Sequence, residues 1–223
     1  MTDFAAARRH MVDGQVRPAD ITDIRITSAM MDVPRESFVP DKVKALAYLD
    51  LDLGLDHGLG AAGAASRCLM KPMVLAKLIH ALEIEATDKV LIVGAATGYS
   101  AAVIARMAGE VIALEQDEGL ARIGTSALSG MPNVNVVTGP LPAGYASAAP
   151  YDAILVEGAV EALPDALRTQ LKDGGRLVCV LGTAPGGSAM LYRRSGHELG
   201  GRPIFDAAAA LLPGFAKAAE FAF

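Results

Sequence analysis

The chain has 223 residues, 52% of them hydrophobic and 20% charged, with a net charge of −5. That is enough to bury a sizeable core in one large domain, or in one domain with an attached extension. The acidic balance and the lack of a Lys/Arg stripe argue against nucleic acid or an anionic membrane surface as the main partner.

The first third reads as helical and irregular. Phe4–Val12 and Asp23–Met31 have helix-like apolar spacing, with Asp20 and Thr22 as candidate caps for the second segment. Pro34 disfavours helix at the residue before it and closes that segment. Gly54 to Gly63 holds four glycines among small residues and is expected to form a mobile loop.

From residue 72 the pattern becomes regular. Pro72 suits a first helical turn, and Val74, Leu75, Leu78, Ile79 and Leu82 recur at helical spacing. Lys89–Val93 is a short apolar strand, Tyr99–Met107 a helix, Val111–Leu114 a strand and Leu120–Leu128 a helix. Val134–Val137 and Ala153–Val156 are further strands. Leu163–Leu171 reads as a helix, and Arg176–Leu181 as a strand after the Gly174-Gly175 turn. Two more candidate strands lie near Ser188–Arg193 and Phe205. Short apolar strands alternating with helices predict an α/β fold: a mostly parallel twisted sheet with helices on both faces. Residues 1–70 are expected to pack on it as an extension, and 71–223 to form one compact core.

No membrane span is expected. The uncharged run Val90–Ala105 is shorter than the roughly 18 residues a spanning helix needs, and a turn interrupts it. Cys68 and Cys179 are far apart, and no signal-peptide pattern precedes them, which points to a reducing, cytoplasmic setting. The four histidines show no metal-ligand spacing, so no metal is expected.

Parallel sheets of this kind bind ligands outside the strands' carboxyl ends, at the topological switch point. That rule places Gly94–Gly98, Glu115, Gly139–Leu141 and Glu157–Gly158 along one rim. Glycines in Gly94-Ala95-Ala96-Thr97-Gly98-Tyr99 permit a tight turn and close approach of a ligand to the backbone. Glu115 lies 21 positions after Gly94, where a carboxylate can accept from both hydroxyls of a ribose. A plain strand-to-helix turn also accommodates these glycines; the placement of Glu115 is what favours a nucleoside-containing ligand. A dinucleotide fingerprint fails at Ala96 and Tyr99, and no Gly-Lys-Ser/Thr is present to make a P-loop.

Other residues point further. Met11-Val12, Gln15, Ile21-Thr22-Asp23, Val33-Pro34-Arg35-Glu36-Ser37-Phe38-Val39-Pro40, Ala47-Tyr48 and Asp50 occur in order. Pro72-Met73-Val74-Leu75-Ala76, Ala149-Pro150-Tyr151-Asp152 and Gly174-Gly175-Arg176-Leu177-Val178 follow. From about residue 11 to 182 the chain resembles the protein-L-isoaspartate O-methyltransferase family; the C-terminal tail fits less well. The resemblance implies a class I methyltransferase fold and S-adenosylmethionine as cofactor. It also implies methylation of an isoaspartyl carboxylate in a protein or peptide, a repair reaction. The cofactor set would be Gly94, Ala95, Ala96, Gly98, Tyr99, Glu115, Gln116, Pro140 and Leu141, with Arg35, Met70 and Met73 as substrate candidates.

The sequence departs from the family pattern at the rim. Met70 stands at the family's serine, Ile92 at its acidic residue, Ala96 at its central glycine, and Gly139-Pro140-Leu141 at its Gly-Asp-Gly. Ser66 would need a register shift to replace the serine. These departures keep two alternatives open: a methyltransferase for another small acceptor, and a non-catalytic member that acts as a binding protein.

Overall fold

The computed structural model describes residues 3–55, 58–59, 67–182 and 186–217. Helix α1 (Phe4–Met11) starts at Asp3, whose carboxylate accepts from the Ala6 N–H at 3.0 Å. It runs on through a wider turn at Val12–Val16 and a tight turn at Arg17–Ala19. Helix α2 (Ile24–Asp32) is capped by Asp23, which accepts from the Arg25 N–H at 2.9 Å. This corrects the expectation for Asp20 and Thr22: Asp20 takes the left-handed conformation that ends the preceding turn, at φ 62°. Val33 is extended ahead of Pro34, as the proline requires.

Three two-residue strands, β1 (Leu53–Gly54), β2 (Gly58–Leu59) and β3 (Cys68–Leu69), form a small antiparallel sheet in the order β2-β1-β3. The expected loop from Gly54 to Gly63 therefore begins in a strand, and much of its remainder lies outside the described residues, as does Ser66. Helix α3 (Pro72–Ala81) follows, its first turn held by two carboxylates. Asp52 accepts from the Lys71 N–H at 2.8 Å and Asp50 from the Met73 N–H at 3.2 Å.

The main sheet contains β4 (Lys89–Val93), β5 (Glu110–Glu115), β6 (Val134–Thr138), β7 (Tyr151–Val160), β8 (Leu171–Leu181), β9 (Ser188–Ser195) and β10 (Glu198–Asp206). Their order is β10-β9-β8-β7-β4-β5-β6. The five from β4 to β8 are parallel; β9 and β10 add an antiparallel edge. Helices α4 (Tyr99–Ile104), α5 (Glu118–Ala127) and the short α6 (Asp165–Thr169) make crossovers. Residues on β4 alternate between two apolar layers: Val90 and Ile92 join the one containing Met11, Met30, Leu75 and Val103, whereas Leu91 and Val93 join Ile112, Ile154 and Leu212. Both faces of the sheet are thus covered, which explains why its strands read as continuous apolar runs.

Several elements differ in extent from their sequence reading, among them the strand expected at Arg176–Leu181, which begins at Leu171, and the helix expected at Tyr99–Met107, which ends at Ile104. The expected helix Leu163–Leu171 shrinks to Asp165–Thr169, because Pro164 stands in extended conformation before it and β8 begins at Leu171. Strand β7 runs to Val160 rather than Val156, through an irregularity between Leu155 and Ala159. The tail, whose resemblance was weakest, folds back along that extension. Ala159 N–H donates to Ala210 O at 2.8 Å, and Leu212 N–H donates to Ala159 O at 2.9 Å. No described helix is long and apolar enough to cross a membrane.

Candidate functional site

The chain leaves β4 for β5 and β6, then returns to β7 on the other side of β4. The switch point therefore lies between β4 and β7, outside their carboxyl ends. Pairing of β4 with β7 stops at Val93–Val156, and Glu157-Gly158 follow at once on the irregular stretch of β7. Opposite them is the turn Gly94–Gly98. Its alternate residues are left-handed: Gly94 at φ 85°, Ala96 at 51° and Gly98 at 92°. Glycine accepts such angles freely; Ala96 does so against its Cβ.

Glu115 ends β5 facing this turn, as its spacing from Gly94 predicts. Its carboxylate is almost fully buried and accepts from the Ala96 N–H at 2.7 Å, Gln116 N–H at 2.8 Å and Asp117 N–H at 3.0 Å. A fourth donor is Arg67, whose Nη2 reaches Glu115 Oε2 at 2.7 Å and Gly94 O at 2.8 Å. Arg67 is itself only 8% exposed. Leu212 closes the same space from the tail. A Cβ built on Gly94 would lie 3.1 Å from both Arg67 Nη2 and Leu212 Cδ2, and one built on Gly158 would lie 2.6 Å from Leu212 Cγ. What remains between Arg67, Met70, Glu157 and Ala210 is a cavity of about 10 Å³.

Glu157 faces this cavity. Ser100 Oγ donates to its Oε2, while its Oε1 and the Arg67 Nε have no hydrogen-bond partner among the described residues. Burial pushes the Glu157 carboxyl up to about 7, against the hydrogen bond from Ser100 and the opposing pull of Arg67 and Arg35.

The sequence-derived set divides accordingly. Gly94, Ala95, Ala96, Gly98 and Glu115 come together, all beneath the protein's own atoms. Gln116 is exposed beside Glu115. Tyr99 points into the core, where its ring meets Phe38 edge-on at 5.7 Å. Pro140 is exposed, and Leu141 is wholly buried in the apolar layer with Leu91 and Ile112, so neither walls the crevice. Arg35, a substrate candidate on sequence, is fully buried instead. Its Nε donates to Ala47 O and its Nη2 to Met70 O, each at 2.8 Å, and its guanidinium lies 4.7 Å from the centre of the Tyr99 ring. It ties the N-terminal segment to the chain beside the crevice. Met70 is buried and lines the small cavity; Met73 is half-buried in the first turn of α3. Burial and nearby Asp52 push the Cys68 thiol up to about 12, which makes it a poor nucleophile. Among the described residues no three His, Cys, Asp or Glu side chains gather as metal ligands.

Sequence reading missed Arg67 and Leu212, side chains that, among the described residues, occupy the crevice. Arg67 carries one signal, a lone charge just before the apolar pair Cys68-Leu69. Leu212 carries none, since nothing local shows that the tail returns to the switch point.

Comparison with known proteins gives a consistent answer. Residues 6–200 match the family model for protein-L-isoaspartate(D-aspartate) O-methyltransferase. The chain is 40% identical over 183 residues to protein-L-isoaspartate O-methyltransferase 1 of Rhodopseudomonas palustris, covering 81% of this chain and 71% of that one. Its fold superposes on a solved protein-L-isoaspartate O-methyltransferase with TM-score 0.80 at 24% identity, over 93% of this chain and 66% of that one. A Plasmodium falciparum protein described as a protein-L-isoaspartate O-methyltransferase beta-aspartate methyltransferase, solved with S-adenosyl-L-homocysteine, gives 0.73 at 16% identity, over 95% and 99% of the two chains.

Proposed function

The chain belongs to the protein-L-isoaspartate(D-aspartate) O-methyltransferase family, and we propose that it performs the family's reaction. In that reaction the methyl group of S-adenosylmethionine passes to the carboxylate of an isoaspartyl residue in a protein or peptide. The observation that supports this most directly is the juxtaposition of Glu115 with the Gly94–Gly98 turn at the switch point, in a chain 40% identical to a named family enzyme. The reaction asks for no general base. The acceptor carboxylate is already ionised at neutral pH, so the protein's task is to align the reactants and exclude water.

Among the described residues, the space between Arg67, Met70, Glu157 and Ala210 does not fit the cofactor. Small-molecule sites enclose roughly 300–1,000 Å³, against about 10 Å³ at that point, although an open hollow of about 650 Å³ lies farther along the rim at Asp117, Leu120 and Ile123. The acceptors that would meet a ribose or an amine, Glu115 Oε2 and Gly94 O, are both held by Arg67. The reading therefore requires a second arrangement in which Arg67 and Leu212 have withdrawn.

We read the segment before residue 71 as an extension completing one unit with the remainder, since Met11, Met30 and Phe38 share an apolar layer with Val90 and Val103. A cytoplasmic location fits the two free cysteines. A second reading, a family member that binds partners without transferring methyl groups, is favoured by the filled crevice alone.

The deciding experiment incubates the protein with S-adenosylmethionine and an isoaspartyl peptide, with the aspartyl isomer as control. Mass spectrometry should show one added methyl group on the isoaspartyl peptide only. If that peptide stays unmodified while a family enzyme methylates it in parallel, the second reading replaces the first.

A further inference from the structure

We propose that Arg67 is an internal competitor for the adenosyl cofactor: its guanidinium sits in the cofactor's place, and binding requires its release. The inference rests on the methyltransferase reading and adds a residue-specific condition to it. Three observations support it.

The first is chemical. A guanidinium presents several donors in a plane and suits a carboxylate. Arg67 uses one nitrogen to engage both Glu115 Oε2 and Gly94 O, which are the acceptors that the switch point offers to a ligand's hydroxyl or amine groups. Glu115 Oε2, which also accepts from the Ala96 N–H, has no lone pair left for a ligand while Arg67 remains, and at Gly94 O a ligand would have to share the oxygen with the guanidinium.

The second is steric. Arg67 and Leu212 both lie within van der Waals reach of the place where a Gly94 side chain would project. Close approach of a ligand to that backbone is what a glycine there permits, and the approach is already made by the protein's own atoms.

The third concerns what the closed arrangement leaves undone. Arg67 Nε and Glu157 Oε1 are both buried without a hydrogen-bond partner among the described residues, although both groups border the residual cavity. Arg67 satisfies Glu115 and neglects Glu157. A buried polar group without a partner disfavours the state that contains it. The closed arrangement is thus one that a ligand with its own donors can displace. Any fraction of molecules held closed weakens the apparent affinity by the remaining open fraction.

The test is calorimetric titration of the intact protein and of Arg67→Ala with S-adenosylhomocysteine. Arg67→Ala should bind at least about tenfold more tightly than the unaltered chain, as expected when nine-tenths or more of the molecules are closed. Methylguanidinium added to Arg67→Ala should reoccupy Glu115 and weaken binding again, an effect that a change in fold stability would not produce. Should Arg67→Ala fail to fold, Arg67→Ser is titrated in its place, and Leu212→Ala separately tests steric relief with the guanidinium retained. Equal or weaker, but measurable, affinity in the Arg67 variants than in the intact chain would overturn the competition while leaving the cofactor reading standing. No heat with any folded variant, where a family enzyme binds under the same conditions, would overturn both.

Discussion

The buried carboxyl of Glu157 predicts a specific dependence of stability on pH. In an unfolded chain this group titrates at about 4.5; burial in the native protein raises it to about 7. The native state therefore holds a proton that the unfolded state has released throughout the interval between those values. Stability falls with rising pH wherever the native state binds more protons. The contribution of Glu157 is accordingly full below about 4.5 and lost as pH rises through about 7. A shift of this size corresponds to something on the order of 3 kcal/mol, at about 1.4 kcal/mol per unit. The groups facing Glu157 are Ser100, Arg67, Arg35 and Glu115; the first three favour its charged form and the last opposes it. Glu157→Gln keeps an acceptor for Ser100 and removes the titration. Urea unfolding of both proteins between pH 4.5 and 8 should show the variant gaining on the unaltered chain as pH rises, by up to about 3 kcal/mol across the range. Other titrating groups affect both proteins alike and cancel in the difference. A difference that stays constant with pH would refute the argument and mean that Glu157 remains charged in its buried site.

Two further substitutions test the frame around the crevice. Gly98→Ala places a Cβ at φ 92° and 2.6 Å from Leu128 Cδ1. It should cost about 1–3 kcal/mol through strain and overpacking, read as a lowered urea midpoint with unchanged slope. Arg35→Ala leaves the carbonyls of Ala47 and Met70 without their donors and opens space over Tyr99. A loss of about 3 kcal/mol or more is expected. Because those bonds join the N-terminal segment to the chain next to the crevice, hydrogen exchange should rise in both regions together rather than in one.

Much of the architecture is legible because it is local. The alternation of Val90 and Ile92 against Leu91 and Val93, the helical spacing from Val74 to Leu82, and the turn glycines all act within a few residues of themselves. The spacing from Gly94 to Glu115 is legible for the same reason, being set by one crossover helix and one strand. Boundaries fail where a neighbour decides them. Asp23 displaces Asp20 as the cap because Asp20 is needed in a left-handed turn. Strand β7 outlasts its apolar run because the returning tail supplies hydrogen bonds that β4 no longer offers. Leu141 reads as a rim residue from its position after β6, yet the tight turn at Leu141–Ala143 directs it into the core. The filling of the crevice is the least legible feature, since it depends on side chains 27 positions before Gly94 and more than 100 after it.

The departures from the family pattern become coherent once that filling is included. Ala96 holds a left-handed angle that its Cβ opposes, so something must fix the turn in its place. The fixing group is Glu115, which accepts the Ala96 N–H while Arg67 balances its buried charge. A carboxylate withdrawn from water without a cation would be far more costly than the strain it relieves. Arg67 therefore performs two tasks that conflict: it stabilises the turn a ligand needs, and it occupies the ligand's place. A cofactor can take over only by supplying equivalent donors to Glu115 and Gly94. This makes the pair of Arg67 and Glu115, rather than Met70 at the family's serine position, the point at which cofactor binding in this chain is decided.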